Sequence, residues 1–261
     1  MGILNVTPDS FSDGGDFIDP ETAIARASAM EDAGASIIDI GGESTRPGSD
    51  PVDAATEQAR VLPVIRRLAQ TGQFIISIDT YRAETAAAAI EAGAHIVNDV
   101  WGCQRDPDIA NVAAQSGAGL VIMNTRRERT VRDDLLDDAA EFLLQSLKIA
   151  HKAGVKDEAI VLDPGFGFAK TTDHDLPILN GLQRLHALGF PLLVGTSRKR
   201  FLGEITGREA ADRGIATAAT SVVARQKGAA IFRVHDIVEN RDALAVTDAL
   251  LAAQHGWTGD A

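Results

Sequence analysis

Cysteine is almost missing from this chain: Cys103 is the one thiol in 261 residues. A single thiol excludes an internal disulfide and any Cys-based structural zinc site. With nothing beside it in sequence to lower its pKa, it reads as a small buried hydrophobe rather than a nucleophile. Positive charge is also scarce, with 25 Lys and Arg against 37 Asp and Glu, a formal net charge of −12. That balance argues against a nucleic-acid binder, which needs a net basic face. It leaves room for a small anionic substrate held by a local cluster of Arg, Lys and His. No apolar run approaches the roughly 20 residues that span a bilayer, and the first residues carry no basic region of the kind that opens a signal peptide. Cytoplasm is therefore the expected compartment. Linkers, low-complexity tracts and charge blocks are absent too, so residues 1–261 are expected to form a single domain.

What is present is ordinary globular material, 45% hydrophobic and 24% charged, enough to bury a sizeable core. Eight short runs rich in Ile, Val and Leu end in polar residues: Ile3–Val6, Ser36–Ile40, Phe74–Asp79, Ile96–Val100, Leu120–Met123, Ala159–Asp163, Pro191–Gly195 and Ala230–His235. Runs this short and this β-branched read as buried parallel strands. Between them lie Ala-rich amphipathic segments, Glu21–Ala33, Ala54–Gln70, Ala83–Ala92, Asp108–Gln115, Leu135–Ala153, Leu176–Leu188, Glu209–Lys227 and Val238–Gln254. Several of these stop at a glycine, and Asp53 and Ser197 are candidate helix caps. Strands alternating with helices imply an α/β fold with a parallel sheet. Eight units in this length, without a Gly-x-Gly-x-x-Gly opening, favour a (β/α)8 TIM barrel over an open doubly wound sheet.

In such a barrel alternate strand residues point inward, and sites form where strands end. Counting back by two from each strand end collects Asn5, Asp79, Asn98, Asp163, Arg233 and His235 at one mouth, with Lys199 joining from the loop after the seventh strand. One acid at a strand end is as often a cap or a loop anchor. Several polar groups converging on one mouth are different, because buried without a ligand they cost stability. Asp39 and Asp99 keep the plainer role of supporting or loop-holding groups. Outside His235, no pair of histidines has metal-ligand spacing. Two Gly-containing polar loops, Thr7–Gly15 and Gly42–Gly48, read either as flexible connections or as lids that close on an anion.

Read in order, the motifs resemble those of the dihydropteroate synthase family of folate biosynthesis. They are Asn5-Val6-Thr7-Pro8-Asp9-Ser10-Phe11-Ser12-Asp13-Gly14-Gly15, Gly41 through Gly48, Ser77-Ile78-Asp79-Thr80, Asn98-Asp99, Leu162 through Phe168, Ser197 through Gly203, and Arg233-Val234-His235-Asp236. The resemblance covers nearly the whole chain. It implies condensation of a dihydropterin methyl diphosphate with 4-aminobenzoate, with Mg²⁺ as cofactor and a homodimer as the assembly. Asp163 is then expected to grip the guanidine-like edge of the pterin with two parallel hydrogen bonds. Asn98 and Asp79 meet the adjoining edges, Lys199 donates to the ring, Arg233 lies on its face and Met123 floors it. Asn5, Thr45, Arg46, Arg233 and His235 are expected around the diphosphate, with the Asn5 oxygen as the protein ligand of Mg²⁺. Asp79, Lys199, Arg233 and His235 are the expected catalytic set. Phe11, Pro47, Phe168 and Arg200 are expected to line the aminobenzoate pocket, its carboxylate near the helix start at Lys199-Arg200. Ordering of the two loops by the diphosphate implies that this substrate binds first.

The sequence departs from the family at two places. It starts directly in the first strand, where the family usually carries a short segment upstream. Asn124-Thr125-Arg126 follows Met123, where the family often has His. A pterin-dependent methyltransferase barrel is the alternative reading, but it would need neither the Ser197–Gly203 segment nor the Arg233 and His235 pair. A non-catalytic binding barrel would be expected to lack one of Asp79, Asp163, Lys199 or His235, and all four are present.

Overall fold

Each of the eight apolar runs overlaps a β-strand in the computed structural model, which describes residues 1–7, 20–44 and 50–253. The strands are β1 (Gly2–Asn5), β2 (Ile37–Gly41), β3 (Ile75–Asp79), β4 (Ile96–Asp99), β5 (Gly119–Met123), β6 (Ile160–Asp163), β7 (Leu192–Val194) and β8 (Ala229–Phe232). They pair in parallel in chain order, β1 to β8. The chain beyond β8 then runs beside β1: Gly2 and Val234 form a parallel bridge. There Ile3 N–H donates to the Val234 carbonyl at 3.3 Å and Val234 N–H to that of Met1 at 2.9 Å.

Strand alternation sorts the apolar side chains. Leu4, Ile38, Ile40, Ile76, Ile78, Val97, Leu120, Ile122 and Leu162 are almost fully buried in the main hydrophobic cluster, which they share with the helices. Ile3, Val121 and Leu193 are buried as well but lie outside that cluster, on the opposite face of the sheet. The layer around the sheet is built from α1 (Pro20–Asp32), α2 (Ala54–Ala69), α3 (Ala83–Glu91), α4 (Asp108–Ser116), α5 (Leu135–Ala153), α6 (Thr172–Asn180), α7 (Leu182–His186), α8 (Arg200–Thr206), α9 (Gly214–Gln226) and α10 (Ile237–Ala253). Asp53 caps α2, its carboxylate accepting from Thr56 N–H at 2.7 Å. Gly117 and Gly154 close α4 and α5 in the left-handed conformation that glycine takes without strain.

Three expectations change. The segment expected as one helix over Leu176–Leu188 starts earlier and breaks at Gly181, where a Cβ would come within 2.2 Å of Leu136. The segment expected over Glu209–Lys227 is a short 3-10 turn followed by α9, and a separate α8 precedes it. Ser197 does not cap a helix; Lys199 holds that position for α8, and the Ser197 hydroxyl is taken by His235.

Candidate active site

The mouth at the strand C-termini is organised around one cation. Arg233, just past β8, donates from Nε to Asp39 Oδ2 at 2.6 Å and from Nη2 to Asp79 Oδ2 at 2.7 Å. Asn98 Nδ2 donates to the same Asp39 oxygen at 3.1 Å. Strand register sets this up, since Gly41, Asp79 and Asn98 sit side by side on β2, β3 and β4. Gly41 lies between Asn5 and Asp79: a Cβ there would stand in ordinary contact with Asn5 Oδ1 at 3.5 Å and Asp79 Cβ at 3.6 Å. Burial opposes the charge on Arg233, but the carboxylates of Asp39 and Asp79 outweigh it and hold the guanidinium protonated. Burial pushes the Asp79 carboxyl up, against the pull of Arg233 and with the repulsion of Asp39 added.

The second half of the mouth is the loop after β6. Gly165 has φ +71°, and a Cβ on it would lie 1.7 Å from the Asn124 carbonyl oxygen, so only glycine fits. That close approach turns its N–H onto Asp163 Oδ1 at 2.7 Å. Asp163 is 6% exposed. Burial raises its pKa to about 6, although the Gly165 N–H and the Lys199 charge pull the other way. Gly167 leaves room for Lys199, whose Cδ is 3.0 Å from where a Cβ would stand. Lys199 Nζ rests 4.3 Å from the centre of the Phe168 ring, and burial, then Arg233, lower its pKa to about 8. Met123, Val100, Trp101 and Phe168 form a small apolar cluster of their own, with Tyr81 packed against it.

Asp79, Asn98, Asp163 and Arg233 therefore share one mouth, as the strand-end counting expects, with Lys199 reaching it from the loop after β7. Met123, expected there from the family resemblance, sits beside Asp163 in strand register. Asn5 is there too, and its carboxamide makes no hydrogen bond to the described residues, leaving its oxygen available. His235 is anchored rather than free: its N–H donates to Ser197 Oγ, and Nδ1 and that hydroxyl are 3.0 Å apart. Arg200, at the start of α8, has an exposed side chain whose guanidinium pairs with Glu204 one turn on at 2.7 Å. Phe11, Thr45, Arg46 and Pro47, like most of both loops, lie outside the described residues. No cluster of three or more His, Cys, Asp or Glu suited to a metal occurs among the described residues.

Sequence reasoning underrated Asp39, which is fully buried and bonded to Arg233 and Asn98; the same period-two count that found Asp79 also turns Asp39 inward. It missed Trp101, and it missed Lys170, 6% exposed beneath the β6 loop. Asp99 holds a loop as expected, accepting from Trp101 N–H at 2.8 Å. Cys103 is fully buried, and burial with the Asp99 charge pushes its thiol far above the reactive range.

The family model described as pterin binding enzyme matches residues 1–235. Dihydropteroate synthase of Bacillus subtilis is 47% identical over 251 residues, covering 96% of this chain and 88% of that protein. The crystal structure of dihydropteroate synthase from Clostridium difficile in the presence of pteroic acid superposes with a TM-score of 0.92 at 46% identity, covering 95% of each chain. Dihydropteroate synthase of Xanthomonas albilineans with 4-aminobenzoic acid gives a TM-score of 0.91 at 41% identity, covering 96% of this chain and 92% of that one. With such likeness over nearly its whole length, the chain belongs to the pterin-binding enzymes and, among them, to the dihydropteroate synthase family.

Proposed function

We propose that this chain condenses a dihydropterin methyl diphosphate with 4-aminobenzoate to give dihydropteroate and pyrophosphate. The observation that carries the reading is the ring of Asp79, Asn98, Asp163, Lys199 and Arg233 at one mouth. A pterin presents a flat edge of ring nitrogens and an amino group beside a carbonyl. Asp163 faces that edge as a two-point acceptor, Asn98 supplies a donor and an acceptor, and Lys199 donates to the ring. Met123 and Phe168 supply the apolar surfaces that a planar ring and an aniline need.

The carbon–oxygen bond to diphosphate breaks, its electron pair leaving with the diphosphate as pyrophosphate, and the aniline nitrogen bonds to the methylene carbon and sheds a proton to solvent. Asp79 stabilises positive charge developing on the pterin. Arg233 and His235 receive negative charge on the departing group, together with Asn5, Thr45 and Arg46. An aniline is scarcely basic, so its attack requires no dedicated base.

The residues fit a magnesium ion brought in by the diphosphate. Mg²⁺ keeps water and substrate oxygens and tolerates one neutral protein oxygen, which the uncommitted Asn5 carboxamide offers. When bound, it supplies charge neutralisation on the leaving group.

The reading includes a single (β/α)8 barrel domain, supported by the hydrogen bonds that tie β1 to the chain beyond β8. It includes a cytoplasmic enzyme; no helix among the described residues is long and apolar enough to cross a membrane. It also includes a homodimer, supported by apolar side chains left exposed on the packed pair α9 and α10, namely Ile215, Val246 and Leu250. Leu244, in the same helix, packs on the core instead.

Pyrophosphate release that requires both substrates tests the reaction. Release with the pterin substrate alone, or none with both present, would overturn it.

A further inference from the structure

Lys170 is a buried cation that the chemistry above does not use. It follows the β6 loop, is 6% exposed, and its Nζ donates to the carbonyls of Gly165 at 2.8 Å and Phe168 at 3.5 Å. Those two residues flank the turn beside the Asp163 carboxylate that faces the pterin: Gly165 N–H holds Asp163 Oδ1, and Phe168 carries the ring beneath Lys199. Gly167 N–H, between them, donates to Asp175 Oδ1 at 2.9 Å. The loop is thus pinned from below by one ammonium and one carboxylate. The charges facing Lys170 are Asp175 on α6, Asp163 on β6, and Arg129 and Arg126 after β5. Both arginines lie within ion-pair distance of buried Asp138.

We propose that Lys170 is a positioning residue for pterin binding: its ammonium fixes the Gly165–Phe168 turn so that Asp163 and Phe168 are set before the ligand arrives. This rests on the pterin reading of the site. A charged ammonium holds two carbonyls more firmly than a neutral amine, so the grip weakens as Lys170 gives up its proton. Burial, the largest influence, lowers this lysine to about 7 from 10.5, with Asp175 and Asp163 opposing. The folded chain therefore releases this proton near neutrality while the unfolded chain keeps it to about 10, and the group's contribution to stability rises with pH between those values. Pterin affinity moves the other way. A purely structural lysine would shift both together.

The test compares wild type, Lys170→Met and Lys170→Arg for calorimetric binding of 6-hydroxymethylpterin from pH 6.0 to 7.5, with thermal melts at the same pH values. Asp163 also titrates in this window and the Lys170 charge lowers its pKa, so Lys170→Arg, which keeps a charge there, is the control that separates the grip on the turn from the titration of Asp163. The expected result at pH 6.0 is about tenfold weaker binding for Lys170→Met, the loss of one charge-assisted hydrogen bond, with its melting temperature not reduced at pH 7.5. The gap to wild type should narrow as pH rises, and Lys170→Arg, charged throughout, should keep its affinity at pH 7.5. Equal affinities for wild type and Lys170→Met at pH 6.0, or a constant gap across the window, would overturn the proposal. Should Lys170→Met fail to fold, a Lys170→Arg protein that loses affinity with pH as wild type does would overturn it equally. Wild type that binds no pterin would instead overturn the reading of the site itself.

Discussion

Replacing Asp163 by Asn separates function from stability in a way the structure quantifies. The carboxylate is a two-point acceptor facing donors of the pterin edge; the carboxamide turns one acceptor into a donor and sets it against another donor. In a desolvated site that costs on the order of 2–4 kcal/mol, or about 30- to 1,000-fold in affinity. The empty protein behaves oppositely. Burial raises Asp163 from 3.8 to about 6, so keeping it ionised above pH 6 costs the fold up to about 3 kcal/mol, and nothing below its unfolded value near pH 4. The Asn oxygen can still accept from Gly165 N–H, so the turn survives. Asp163→Asn should therefore bind pterin poorly yet melt no lower than wild type at pH 8, and any gain should fade by pH 4. Calorimetric titration with a pterin and melts at both pH values decide it. Undiminished affinity would refute the two-point grip, and a melting temperature lowered at pH 8 would refute the burial argument.

Gly165→Ala should be far worse for the fold: a Cβ 1.7 Å from the Asn124 carbonyl at φ +71° forces the loop to move, costing about 3 kcal/mol or more, read as a lowered midpoint in urea. Asp39→Ala leaves Arg233 with Asp79 alone and frees Asn98, and breaking a buried pair costs about 3–5 kcal/mol. Its melting temperature and kcat/KM should both fall, and wild-type values would show that Asp79 suffices. Chelation of divalent cations should stop pyrophosphate release without lowering the affinity for a pterin that lacks the diphosphate, and added Mg²⁺ should restore it. Val246→Asp and Leu250→Asp together should convert a dimer to monomer by light scattering; a wild-type monomer at micromolar concentration would remove the dimer from the reading.

The parts of the site that were legible are those whose position follows from local periodicity. Once β3, β4 and β6 are placed, a period of two puts Asp79, Asn98 and Asp163 on the inner face at the strand ends with no knowledge of partners. Asp39 obeys the same period, yet its importance depends on Arg233, 194 residues later, and no local pattern carries that pairing. Ser197 shows the same limit from the other side. Before a short helix it reads as a cap, but β7's loop and the turn after β8 converge, and its hydroxyl is claimed by His235. Lys170 was the least legible, because a lysine after Gly-Phe-Ala is by default a solvated charge. Only the folded loop shows that two carbonyls close over it. What is read from sequence is where a side chain points; what it pays to be there depends on charges brought from other strands. A carboxylate costly to bury, such as Asp163, is kept ionised by the same Gly165 N–H and neighbouring cations that orient it for a ligand.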